Sequence, residues 1–383
     1  MTVTWPQGFR ATGVACGIKS SGARDLAVVV NDGPGDAAAA VLTSNRFQAA
    51  PVQWTQQVIR DGRLRAVVIN SGGANACTGT PGFQDTHATA EHAAARLGTS
   101  ALDIAVCSTG LIGTRLPMTQ LLDGITTAVT DLRSDGGALA AEAIMTTDSR
   151  PKSVAVEGAG YRIGGMAKGA GMLAPGLATM IVVLTTDADL AQLDAAAALR
   201  YATSLSFDRI DSDGCMSTND SVILMASGAS SVSPNQADFQ EVLLQACSDL
   251  ARQLIADAEG SSKDIAVTVR SANSEDDALE VARAVARSNL LKCAIGGEDP
   301  NWGRVLAATG TANAVFDPTA VDVAINGVWV CRQGGIGDDR DLVDLTGRQV
   351  EITIDLHAGS AEATILTNDL TAAYVHENSA YAT

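Results

Sequence analysis

Short apolar, β-branched runs recur along the chain at Leu26–Val30, Ala66–Ile69, Ile104–Cys107, Met180–Thr185, Val222–Ala226, Ile265–Val269, Val321–Ile325 and Val350–Ile354. Each reads as a strand. The runs are continuous rather than alternating, which predicts sheets covered on both faces. Ala-rich stretches with helical spacing lie between them, most clearly over Asp85–Leu97, Asp187–Leu205, Asp238–Asp257 and Ser274–Leu291. Strands and helices mix along the whole length, so the fold class is a layered α/β (α+β mixed) arrangement. There is no fixed-period repeat, and the two short Gly/Ser-rich stretches, Gly158–Gly176 and Ser230–Asn235, are the candidate boundaries.

Composition narrows the function. The 383 residues carry 26 Lys+Arg against 43 Asp+Glu, a net charge of −17, so a basic nucleic-acid-binding face is not expected. Hydrophobic residues make up 46% and charged residues 18%, which suits a compact globular enzyme and not a disordered chain. The longest apolar stretch, Met172–Leu184, is interrupted by Pro175 and Gly176 and is shorter than the roughly 20 residues a membrane span needs. The first residues lack a basic segment followed by an apolar one, so a cytoplasmic location is expected. Seven scattered cysteines form no C-x-x-C pair, and no zinc site is expected.

The candidate chemistry is defined first by scarcity. Only His87, His92, His357 and His376 are available, none in ligand spacing, so a Ser-His-Asp enzyme fits poorly. The glycines between Gly158 and Gly176 match neither a P-loop nor a dinucleotide fingerprint. They lead instead to Ala178-Thr179-Met180 at the entrance of a strand. A Thr hydroxyl is a weak nucleophile unless a base lies beside it, and an N-terminal Thr carries its own, an α-amine of pKa about 7.7–8.0. Cutting the Ala178–Thr179 bond would create one. The same three residues are also an ordinary strand entry.

Lys168-Gly-Ala-Gly-Met-Leu-Ala-Pro-Gly-Leu-Ala178-Thr179-Met180 resembles the self-cleavage segment of the ornithine acetyltransferases, or glutamate N-acetyltransferases, of arginine biosynthesis. Further blocks are similar to that family in the same order. They are Asn70-Ser-Gly-Gly-Ala-Asn-Ala-Cys-Thr-Gly79, Ser108-Thr-Gly-Leu-Ile-Gly113, Ala143-Ile-Met-Thr-Thr-Asp148, Met216-Ser-Thr-Asn-Asp220, Asp257-Ala-Glu-Gly-Ser-Ser-Lys263, Asp299-Pro-Asn-Trp-Gly-Arg304 and Tyr374-Val-His-Glu-Asn-Ser-Ala-Tyr381.

The resemblance implies an α-β-β-α sandwich with an additional smaller α/β part. It implies a precursor cut between Ala178 and Thr179 into an α chain, residues 1–178, and a β chain, residues 179–383, which share one fold and assemble as a heterotetramer of two α and two β chains. Thr179 would be the nucleophile, with an oxyanion hole at Thr109 and Gly110. Thr146, Lys168, Thr179, Glu259, Asn378 and Thr383 would contact substrate, with Thr147 an alternative to Thr146. The implied reaction is ping-pong acetyl transfer from N-acetylornithine to glutamate, with acetyl-CoA as a second donor left open and no cofactor or metal required. Two other readings are a Thr-nucleophile amidohydrolase or aminopeptidase, in which water takes the acyl group, and an uncut amino-acid-binding paralogue.

Overall fold

A computed structural model describes residues 2–172 and 180–380. The chain divides into two compact units: the first runs to Asp208 and includes Cys215–Asp257, and the second comprises Arg209–Gly214 and the chain from Ala258. The Gly158–Gly176 stretch, of which residues 158–172 are described and open on a turn at Gly158–Gly160, and the Ser230–Asn235 stretch therefore do not mark the boundary between the units. The turn closes a hairpin and the second stretch leads into a helix, both inside the first unit.

The first unit runs β1 (Phe9–Val14), β2 (Leu26–Asn31), β3 (Ala38–Leu42), α1 (Ala50–Val58), β4 (Ala66–Asn70), α2 (Gly79–Leu97), β5 (Ile104–Ser108), α3 (Met118–Thr130), α4 (Gly137–Ala143), β6 (Lys152–Glu157), β7 (Arg162–Lys168), β8 (Ile181–Thr186), α5 (Ala195–Ser204), β9 (Ser221–Ala226) and α6 (Gln236–Ile255). A four-stranded sheet has the order β1-β2-β4-β5, and a five-stranded sheet the order β3-β9-β8-β7-β6. Side chains of β8 and β9 alternate between two layers. Ile181, Val183, Ile223 and Met225 join one apolar core with Val28, Val67, Ile69 and Val106 of the other sheet. On the outside, α2 and α3 pair over the four-stranded sheet, and α5 and α6 pair over the five-stranded one. This is the expected α-β-β-α layering.

The second unit contains β10 (Asp264–Ala272), α7 (Glu275–Ala286), α8 (Asn289–Gly296), α9 (Trp302–Thr309), β11 (Asp322–Ile325), β12 (Val328–Arg332), β13 (Gly335–Ile336), β14 (Gln349–Asp355), β15 (Ala361–Asn368) and α10 (Ala372–Ala380). Its sheet has the order β13-β12-β11-β14-β10-β15, with β10 parallel to β14 and antiparallel to β15. Val267, Val269, Ile352, Ile354 and Ile365 form its core with Val281 and Val285 of α7.

Every predicted strand is present, to within about two residues at most ends. The helices differ for identifiable reasons. The Asp187–Leu205 stretch is helical only from Ala195, because Asp187 accepts the backbone N–H groups of Gln7 and Arg162 while Asp194 caps the helix at Ala197 N. The Ser274–Leu291 stretch is two helices, α8 being restarted by Ser288, which accepts from Leu291 N. In the other direction α2 begins at Gly79, ahead of Asp85, with Pro81 in its first turn, where a missing N–H costs nothing. Among the described residues no helix is long and apolar enough to cross a membrane.

Candidate active site

The C-terminal ends of β4 and β5 build the first half of the site. These strands are parallel, with Asn70 opposite Ser108, and the Asn70 side chain donates to Ser108 Oγ at 2.5 Å. Thr109 follows immediately. Its N–H is used on Asn70 O at 3.0 Å, so the donor it can offer a developing oxyanion is its hydroxyl. Gly110 N–H is not hydrogen-bonded among the described residues, which leaves it as a second donor. Gly110 has φ +127°, and a Cβ there would meet Gly73 N at 2.8 Å, so this turn is restricted to glycine.

β7 supplies the second half. It ends at Lys168, whose Nζ donates to Thr109 Oγ1 at 3.3 Å although the residue is only 1% exposed. The neighbouring β6 brings in Lys152, also fully buried. Asp148 holds these cations together. One of its oxygens accepts from Lys152 Nζ and from Gly169 N–H, both at 2.6 Å, and the other accepts from Thr146 N–H at 2.9 Å. Lys152 also reaches Asp257 at 2.5 Å, and Asp257 accepts from the backbone and hydroxyl of Ser149. Lys19 closes the group by donating to Met145 O at 2.6 Å.

Burial alone would raise the Asp148 carboxyl, but the charges of Lys168 and Lys152 and the Gly169 N–H outweigh it and hold it down at about 2. Lys19 is pushed down, first by burial and then by Lys168, against the pull of Asp25 and Asp148. Asp220, fully buried at the entry to β9, is raised well above the usual carboxylate range by burial, which outweighs the N–H groups of Met180 and Ser217.

The structure thus brings Thr109, Gly110, Lys168 and the backbone of Thr146 into one neighbourhood of the first unit. In the second unit, Asn378 on α10 donates to Glu259 Oε2 at 3.2 Å. Glu259 lines a cavity of about 190 Å³ with Asp213, Arg287, Lys292 and Tyr374. Ala178, Thr179 and Thr383 lie outside the described residues. Sequence reasoning did not assign Asp148, Lys152, Lys19, Asn219 or Asp220. A signal was present for some of them: Asp148, Asn219 and Asp220 stand inside blocks already singled out, and a carboxylate opening an apolar run, as Asp220 does before Ser221–Ala226, must find buried partners.

Comparison with known proteins agrees with these motifs. The model of the ArgJ family matches residues 10–383. The chain is 63% identical over 383 residues to the arginine biosynthesis bifunctional protein ArgJ of Thermobifida fusca, covering all of both chains. It is 56% identical over 387 residues to the protein of the same name from Mycobacterium tuberculosis, covering 99% of this chain and 96% of that one. A solved structure of ornithine acetyltransferase from Mycobacterium tuberculosis, complexed with ornithine, matches with a TM-score of 0.44 at 56% identity over 47% of this chain and 96% of that chain. With the family model spanning nearly the whole sequence and its relatives matching end to end, the chain belongs to the ArgJ family.

Proposed function

We propose that the chain is a self-processing acyltransferase of arginine biosynthesis that moves the acetyl group of N-acetylornithine to glutamate through an acetyl-Thr179 intermediate. Family membership supports the reaction class. The single observation that carries the site is the buried Lys168–Thr109 hydrogen bond beside the Gly110 turn. It sets a hydroxyl, a backbone N–H and a cation together where an oxyanion needs donors.

In self-processing, Thr179 Oγ gives up its proton and attacks the Ala178 carbonyl carbon. The C–N bond then breaks as the nitrogen takes a proton, leaving an ester, and water hydrolyses the ester to the Ala178 carboxylate and a free Thr179 hydroxyl. In turnover the new α-amine accepts the Oγ proton while Oγ attacks the acetyl carbonyl of N-acetylornithine. Ornithine departs with a proton, the α-amine of glutamate then attacks the resulting ester, and the acetyl C–Oγ bond breaks to release N-acetylglutamate as the proton lost by the amine returns to Thr179 Oγ. Thr109 and Gly110 stabilise the tetrahedral oxygen in both reactions. Thr146, Lys168, Glu259, Asn378 and Thr383 are assigned to substrate contact. Lys168 suits a carboxylate and Glu259 an ammonium group. The relatives are named bifunctional, and we assign the second activity to acetyl-CoA as an alternative donor. The α and β chains are assigned to a cytoplasmic heterotetramer of two copies of each.

Denaturing intact-mass spectra of wild type and Thr179→Ala, before and after N-acetylornithine and then glutamate, test this reading. Wild type should show two fragments divided at Ala178–Thr179. The C-terminal fragment should gain an acetyl group from the donor and lose it to glutamate, and the variant should stay whole. An uncut wild type, or an acetyl group shed equally fast without glutamate, would refute it.

A further inference from the structure

The Met216-Ser-Thr-Asn-Asp220 block has no part in the chemistry above, yet its last two residues are buried at the entry to β9, a strand that lies between β3 and β8. Asn219 faces the oxyanion turn. Its Nδ2 donates to Ala74 O at 2.6 Å and to Ser108 O at 2.7 Å. Ser108 O belongs to the peptide that leads into Thr109, and Ala74 follows Gly73, against whose backbone Gly110 is packed. One amide therefore ties together the two loops that shape the Thr109–Gly110 turn.

Asp220 faces the other way. Its Oδ1 accepts the Met180 N–H at 2.9 Å and its Oδ2 accepts Ser217 N–H at 3.2 Å. The Met180 carbonyl in turn accepts Ser221 N–H at 3.1 Å. The residue that follows Thr179 in the chain is thus held through both of its peptide groups, its N–H by Asp220 and its carbonyl by the adjoining Ser221.

We propose that Asn219 and Asp220 are positioning residues that set the peptide following Thr179 in register with the Thr109–Gly110 oxyanion turn, and so govern the rate of cutting at Ala178–Thr179. The inference rests on the reading of Thr179 as nucleophile. It follows from the sensitivity of intramolecular attack to geometry, since a misplacement of about 1 Å costs on the order of 100-fold in rate. A dipeptide that merely satisfied buried backbone groups would change stability alone.

The test follows the full-length chain from cell-free synthesis and measures the appearance of the two fragments by denaturing mass spectrometry, with melting curves in parallel. Asp220→Ala should cut about 100-fold more slowly than wild type. Asp220→Asn keeps an acceptor for Met180 N–H and should recover to within about 10-fold of wild type. Thr55→Val is the control, because Thr55 also bonds buried backbone, at Val106 O and N, but away from the junction. It should lose stability and cut at the wild-type rate. Wild-type cutting by Asp220→Ala, or slowing that tracks lost stability equally in all three variants, would overturn the proposal. Should Asp220→Ala fail to fold, Asn219→Ala decides: cutting at the wild-type rate overturns the proposal, and slowing without a matching loss of stability supports it. An uncut wild type would instead refute the nucleophile reading.

Discussion

Asp148→Asn isolates what one negative charge does at the centre of the site. The amide keeps the volume but removes the charge that Lys152 and Lys168 share. Two quantities bound the cost. A carboxyl at about 2 in the folded chain, against about 3.9 unfolded, stabilises the fold by about 2.6 kcal/mol at neutral pH. Deleting one member of a buried ion pair costs about 3–5 kcal/mol, because the partner charge is stranded. Lys152 keeps Asp257 at 2.5 Å, which sets the expected loss at the low end, about 3 kcal/mol. For a unit of this size that is a fall of about 6–12 °C in Tm. The sign with pH follows from the depressed carboxyl. Its contribution is complete above about pH 5 and is lost as pH falls through the folded value near 2, so about half remains at pH 3. Calorimetry of wild type and variant at pH 7 and pH 3 should therefore show a gap that narrows about two-fold on acidification. A gap below about 1 kcal/mol at pH 7, or one unchanged at pH 3, would refute the assignment of Asp148 as the shared counter-ion.

Two further outcomes are expected. Thr109→Ala should reduce acetyl transfer about 10²–10³-fold, the usual loss for one oxyanion donor, with little change in Tm; a loss under 10-fold would remove the hydroxyl from that role. Thiol titration of the native chain near pH 8 should register three fast-reacting groups, the exposed Cys77, Cys215 and Cys293. Cys107, Cys247, Cys331 and the half-buried Cys16 should react only on unfolding, burial having pushed Cys16 and Cys107 up to about 12. Fast reaction at Cys16 would contradict the burial that raises its thiol.

The strands that were legible in the sequence are those buried on both faces, such as Leu26–Asn31 and Ile181–Thr186, where burial demands an unbroken apolar run. β6 and β7 escaped because they break that rule. They carry Lys152 and Lys168 inward and Gly164-Gly165 through the middle, and the buried charge of Lys152 is met by Asp148 just before the strand and by Asp257, more than a hundred residues away. The helix limits failed where a polar side chain took up backbone groups, as Asp187 and Ser288 do. Of the site, Thr109, Gly110 and Lys168 were legible through their motifs, and the structure places them together. The pairing of Asn219 with Ala74 and Ser108 was not, because a contact spanning more than a hundred residues leaves no periodic trace.

The strand order β3-β9-β8-β7-β6 has a consequence for the chain cut before Thr179. Strands β3, β6 and β7 would belong to the first fragment, and β8 and β9 to the second. Two covalently separate polypeptides would then be interleaved in a single sheet, meeting at two seams, β3 against β9 and β8 against β7. Neither fragment owns the whole of this five-stranded sheet. Separating them would unzip both seams at once and expose β8 and β9, whose residues are all buried. A bond cut there after folding would thus not be needed to hold the strands in place. A halved gene whose products were made apart would leave both seams unpaired until the fragments met, whereas a chain cut after folding would keep its sheet paired across both.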